Sequence, residues 1–332
     1  MIEAENEPAM LIAAEDMVPN CSRLLSFELE ARASTEARPS NEGDRKVVWG
    51  VSFDATPISG VVVEFIKLAR IFREHGYRIH LDLGYDIKED KNNFFKPYGS
   101  EAELFPTWVN LDRIDGLGEV ESYDQTFVRE ILRRVAQGRE AEPLLRQADT
   151  VSQALSCHIL QKWQELGVSF VIVENGTLSE NIAYTKALYM AIEEYGRANR
   201  LGCYVLWRDH DMMWSSEPGI KKYGEFPYLH AVKPSNSPFI HYIALHDEAR
   251  RRTLEWAPHL ENIETLHNTF TFAPAVVDQH NAAFRRHFHI PEDAFLIARF
   301  TRIIPQKGAT LGGSQTALAL IKFDGACWVY RA

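Results

Sequence analysis

Four cysteines are all that this 332-residue chain carries, and Cys21, Cys157, Cys203 and Cys327 stand too far apart to form a CxxC pair. Zinc sites and disulfide frameworks need cysteines at short, regular spacing, so neither is expected, and a reducing cytoplasm is the simplest setting. No apolar run approaches the roughly 20 residues that cross a bilayer. The first residues lack a basic stretch followed by an apolar core, so no secretory signal is expected. Positive charge is also short: the formal net charge is -10. Residues 1–45 hold ten Asp or Glu against four Arg, so they contribute -6, and the body is only mildly acidic. That balance disfavours a basic face for nucleic acid, yet a few local cations suffice to hold one anionic small molecule. No internal repeat is evident. No DxD-like metal site follows a strand pattern, so no metal or other cofactor is expected.

What is present is an ordinary globular composition, 45% hydrophobic and 25% charged, on a chain long enough for two domains. Residues 1–45 offer little apolar surface and read as a disordered or loosely attached segment, with a short helix over Cys21–Ala31 as its one candidate element. From Lys46 the pattern alternates strand and helix. "KVVWGVSF" is a buried strand. After "DATPISG" comes an amphipathic helix from Val61 to His75, with Val62, Phe65, Ile66, Leu68, Ala69 and Phe72 on one face. Gly76 ends it, and "YRIHLDL" is the next strand, which implies a right-handed parallel crossover. Tyr85–Gly118 reads as a long excursion whose aromatics, Phe94, Phe95, Tyr98, Phe105 and Trp108, either form a local mini-core or face an acceptor. Helices follow over Tyr123–Ala136 and Pro143–Leu166, the second closed by Gly167. "VSFVIVENG" is a strand, and Ser179 is the candidate N-cap of the next helix. "GCYVLWRDHD" and "FIHYIAL" are further strands, separated by a loop over Met212–Pro238. "HDEARRRTLEWAP" is a helix, "ENIETLHNTF" a short strand and turn, and a last helix leads to the apolar strand Ala294–Phe300. The fold class is α/β with a Rossmann-like parallel sheet.

Chemistry-bearing residues gather after strands, where open α/β sheets bind ligands. Arg302 and Lys307 follow the strand Ala294–Phe300. A fork-shaped guanidinium and a point-charge ammonium there suit a diphosphate, and a solvated basic turn is the plain alternative. Gly308 would let a helix start close to the phosphates. Arg208-Asp209-His210-Asp211 ends one strand and Glu174-Asn175-Gly176 the strand before it, so their polar groups would converge on one rim. His210 and Asp211 either meet a substrate hydroxyl or order a loop. Glu174 and Asn175 either face a hydroxylated acceptor or shape a turn. Ser59-Gly60 is either a phosphate-approaching loop or turn geometry.

"FTRIIPQKG" (residues 300–308) resembles the junction that opens the second domain of retaining glycosyltransferases of the two-domain GT-B type, the group that includes sucrose-phosphate synthase and trehalose synthase. The common form has Gly where Thr301 stands. "ALHDEARRRTLEW" and "ETLHNTFTF" resemble further family segments. Asn268 matches the Asn of an interdomain turn whose Gly is here Thr269. The resemblance implies that Arg302, Lys307 and the Gly60 loop bind the donor diphosphate. It implies that His210-Asp211 lie in the cleft beside the transferred sugar, and that Asn175 and Glu174 stand on the acceptor side. The implied partners are a nucleotide sugar and a hydroxylated acceptor, and the implied activity is glycosyl transfer with retention.

The expected organisation is a loose segment over 1–45, an acceptor domain over 46–275, and the start of a donor domain over 276–332. The E-x7-E pair of the family's second domain is not found after Gly308, so the chain as it stands is expected to be inactive and prone to self-association. A non-catalytic binding module, or a nucleotide-sugar epimerase or hydrolase of the same architecture, are the alternatives.

Overall fold

The computed structural model describes residues 46–53, 59–83, 105–136, 142–215, 222–268, 279–291, 317–321 and 327–331. The chain divides into two compact units, Met1–Asn268 and Thr269–Ala332.

The first unit is built on seven strands: β1 (Val47–Ser52), β2 (Arg78–Asp82), β3 (Val109–Leu111), β4 (Phe170–Glu174), β5 (Val205–Asp209), β6 (Ile240–Ala244) and β7 (Ile263–Thr265). Their order is β3-β2-β1-β4-β5-β6-β7, and every neighbouring pair is parallel. This is the α/β, Rossmann-like sheet that the alternating pattern predicts. From β1 the chain steps to β2 and β3, then returns to β4 on the other side of β1. The order therefore reverses between β1 and β4, where a crevice opens outside the carboxyl ends of the strands.

A parallel sheet buries both faces, and β1 shows why its run is unbroken: all six residues, VVWGVS, are buried. Alternate residues serve opposite layers. Val47, Trp49 and Val51 join Val171, Val173, Val205 and Trp207 in one core, covered by α2 (Gln125–Ala136), α3 (Glu142–Leu166) and α4 (Ile182–Ala198). Val48 joins Ile79, Leu81 and Ile172 in the other, covered by α1 (Gly60–Glu74) through Val62, Phe65 and Ala69. Each fully buried side chain of this size contributes roughly 1.5–3 kcal/mol of transfer free energy. Gly50 is what lets α1 sit so close: a Cβ there would fall 2.3 Å from the Phe65 ring. Gly76, at φ 83°, closes α1, with Tyr77 N–H donating to the Phe72 carbonyl at 3.1 Å. Gly167, at φ 66°, closes α3 in the same way. α5 (Asp247–Trp256) packs against β6 and β7.

Three readings need correction. The excursion after β2 contains the edge strand β3, only three residues long and interrupted by polar Asn110, which is too short to show a period. Its Phe105 joins the core beneath α1 rather than a separate mini-core. Helix α4 is capped by Asn181, whose side chain accepts from Tyr184 N–H at 3.1 Å; Ser179 lies two residues outside it, buried. Cys157 on α3 is disulfide-bonded, against the reading that the scattered cysteines stay reduced, because separation along the chain does not bound distance in a fold; Cys203 is free.

In the second unit, α6 (Gln279–His287) is the helix expected there, and β8 (Ala317–Ile321) pairs antiparallel with β9 (Cys327–Arg331). Residues 1–45, the strand expected over 294–300, Arg302 and Lys307 lie outside the described residues. Among the described residues no helix is long and apolar enough to cross a membrane.

Candidate functional site

Glu174 is the last residue of β4, in register with Ser52 of β1 on one side and Arg208 of β5 on the other. In-register neighbours point to the same face, so Glu174 and Arg208 meet directly, on the side of the sheet that α1 covers. Glu174 is 0% exposed and Arg208 6%. Arg208 Nε donates to Glu174 Oε1 at 3.0 Å, and its Nη2 reaches the same oxygen in a short contact. The other oxygen, Oε2, lies 2.8 Å from His210 Nε2. Both carboxylate oxygens are thus taken. A carboxylate this deep and without partners would cost several kcal/mol.

Backbone geometry aims His210 at that carboxylate. Asn175 sits in the left-handed region at φ 58°, which asparagine tolerates better than most residues. Its Oδ1 accepts the N–H of His210 at 2.7 Å and of Asp211 at 3.1 Å. Its own N–H donates to the Arg208 carbonyl at 2.8 Å. Gly176 follows because nothing larger fits: a Cβ would meet Trp207 Cζ2 at 2.4 Å. The turn and the site are therefore one device, in which Asn175 and Gly176 join the ends of β4 and β5 and fix the residue that β5 presents. Asp211 is exposed.

Asp209 points to the opposite face. Its Oδ2 accepts from Thr177 Oγ1 at 2.6 Å and its Oδ1 from Thr177 N–H at 3.2 Å, while Trp207 Nε1 donates to Thr177 Oγ1 at 3.0 Å. Burial pushes the Asp209 carboxyl up to about 6, and the Thr177 hydrogen bonds oppose that only in part. Asp209 lines a small cavity with Met212, Tyr242, Ala244 and Thr253, with room for about one water molecule.

The loop from Asn175 to Asn181 is buried throughout. Leu178 packs with Met212, Met213, Tyr223, Tyr228 and Trp256, which roof this side of the carboxyl edge. Glu180 Oε1 ties the roof down, accepting from Tyr223 Oη at 2.5 Å and from Lys222 Nζ in a short contact. On the α1 side, Ser59 caps the helix, its Oγ accepting from Val61 N–H at 3.2 Å. Gly60 is exposed, and a Cβ there would meet nothing within 4 Å, so its backbone leaves room beside a helix N-terminus.

Of the residues singled out from sequence, Glu174, Asn175, His210 and Asp211 come together at the ends of β4 and β5. Gly60 opens α1 after β1. Arg302 and Lys307 fall outside the described residues. Sequence reasoning missed the part played by Arg208, although the signal was present. Glu174 and Arg208 each lie three residues beyond a valine, Val171 and Val205, that pair with each other. Opposite charges at matching depth in adjacent parallel strands predict a cross-strand pair. Compared with protein-family models and with curated proteins, the chain matches none.

Proposed function

We propose that the chain is the acceptor-side part of a retaining glycosyltransferase, moving a hexosyl group from a nucleotide sugar to a hydroxyl. One observation carries the reading. At the end of β5, one strand from the switch point of a parallel sheet, His210 is gripped through Nε2 by the buried carboxylate of β4, while its Nδ1 has no partner among the described residues and is not among their sealed polar atoms. A ring held on one side and open on the other suits contact with a sugar hydroxyl in the cleft. Glu174 reaches a substrate only through His210, since both its oxygens are occupied. The N-terminus of α1 at Gly60 is the described group best suited to a diphosphate. By the resemblance alone, Arg302 and Lys307 are the cations that would stabilise the leaving nucleotide diphosphate as the glycosidic bond to it breaks. The nucleotide sugar is a substrate, and the reading calls for no metal, no resident cofactor and no nucleic-acid partner. Self-association through the second unit belongs to it, as sedimentation would read. So does a cytoplasmic setting, which requires the Cys157 disulfide to survive a reducing pool; thiol mapping of freshly extracted protein checks that.

The test is incubation with uridine, adenosine and guanosine diphosphate sugars, with and without mono- and disaccharide acceptors. Products are read by mass spectrometry and by anomeric proton coupling. Transfer with retained configuration supports the reading. Free sugar formed without an acceptor points to a hydrolase, and an epimerised donor to an epimerase. Binding without any product favours a non-catalytic module. Neither product nor binding, for any donor or acceptor, sinks the proposal.

A further inference from the structure

We infer that Glu174 and Arg208 together set the tautomer of His210, leaving its Nδ1 lone pair as an acceptor for a substrate hydroxyl. Only the identity of that hydroxyl, on a sugar acceptor, rests on the transferase reading; the tautomer does not.

Donors and acceptors around Glu174 balance in only one way. A guanidinium only donates, and Arg208 Nε and Nη2 both donate to Glu174 Oε1. That leaves Oε2 for His210 Nε2 at 2.8 Å. A carboxylate paired with an arginine only accepts, so the hydrogen in the second contact belongs to the ring: Nε2 carries it. In a neutral imidazole the other nitrogen is then bare. The charges of Glu174 and Arg208 cancel, so a neutral ring completes an uncharged group at a site where Glu174 is 0% exposed. Of the neighbouring acids, Asp209 is turned to the other face and bound to Thr177, and Asp211 is exposed. Nδ1 has no partner among the described residues and is not among their sealed polar atoms, so it is the atom offered outward. It accepts where a substrate donates, which selects a hydroxyl over a carbonyl or a phosphate oxygen. Glu174 and Arg208 are positioning residues; His210 makes the contact.

A single substitution separates this role from a merely structural one. In Glu174→Gln, Arg208 still demands an acceptor, which holds the amide oxygen toward it. The amide NH2 must then face His210. Nε2 becomes the acceptor and the ring hydrogen moves to Nδ1. Ring-nitrogen NMR on the full chain at pH 8, with no substrate present, reads both states. The wild type is expected to show Nε2–H with bare Nδ1, Glu174→Gln the reverse, and Glu174→Asp the wild-type pattern. A wild-type ring protonated at Nδ1, or a Glu174→Gln variant whose tautomer stays put, overturns the inference. If Glu174→Gln does not fold, the wild-type spectrum still decides. A chain with the expected tautomer but no sugar transfer would leave this inference standing and remove the transferase reading instead.

Discussion

The first unit holds two clusters of the same composition, a histidine and a cation sharing one carboxylate. At the ends of β4 and β5, Glu174 bridges Arg208 and His210. At the β2–β3 edge, Asp112 bridges Lys162 at 3.0 Å and His80 at 3.1 Å. What differs is the far side of each ring. His80 stacks on Trp49 with centroids 6.2 Å apart, and its Nε2 is sealed without a partner. His210, at the end of β5 and beside β4, has no partner at Nδ1 among the described residues, and that atom is not sealed. Composition alone therefore does not mark a site. The first cluster keeps an unsealed ring nitrogen that a ligand can reach, and the second fastens an edge strand with its ring nitrogen sealed in packed protein.

The sharpest way to break this comparison is to remove each cation. Arg208→Met strands a fully buried carboxylate, and urea unfolding should show a loss of about 3–5 kcal/mol. Lys162→Met leaves Asp112, which is partly exposed, with His80 still bound, and should cost about 1 kcal/mol. Equal losses would erase the distinction between a buried pair and a surface fastening.

Acid titration separates two of the carboxylates by sign. Asp209 is raised to about 6, so the folded state holds its proton more tightly than the unfolded chain. Stability contributed by this group should fall as pH rises from about 4 to above 6, on the order of 3 kcal/mol in total. Asp209→Asn should flatten that slope in a pH series of urea melts. Burial also raises Asp112, but hydrogen bonds from His80 and Lys162 and the Lys162 charge outweigh it and hold the group below its ordinary 3.8. Its contribution is present above that value and is lost as pH falls through the lower folded pKa. Asp112→Asn should therefore remove stability at neutral pH and little at pH 3. Slopes of one sign at both positions would contradict the assignment.

A smaller effect is expected at the turn that aims His210. Asn175→Ala loses two accepted N–H bonds and puts alanine at φ 58°, at a cost of about 1–2 kcal/mol. Asn175→Gly relieves the backbone and should recover part of it. Identical melting curves for the two variants would show that backbone strain plays no part.

Much of the first unit was legible in the sequence. The unbroken apolar run of β1, the one-sided face of α1 and the closing glycines Gly76 and Gly167 each have a local cause that survives folding. What was not legible depended on distance. β3 is only three residues long and is held by its pairing with β2, and the cap of α4 is Asn181 rather than Ser179. The site was half legible. Residues at adjacent strand ends could be expected to converge, and Glu174, Asn175 and His210 do. That Glu174 would be spent on Arg208 and His210, rather than on a substrate, required the register of β4 with β5.

The most direct test of the account follows both histidine rings in one titration. Nucleotide sugars and simple sugar acceptors are added at millimolar concentration to the full chain. Ring proton and nitrogen resonances are assigned with His210→Gln and His80→Gln. The account predicts that His210 shifts in a saturable way with at least one hydroxylated ligand while His80 stays fixed. Shifts at His80 alone, or a His210 ring indifferent to every sugar offered, would contradict it.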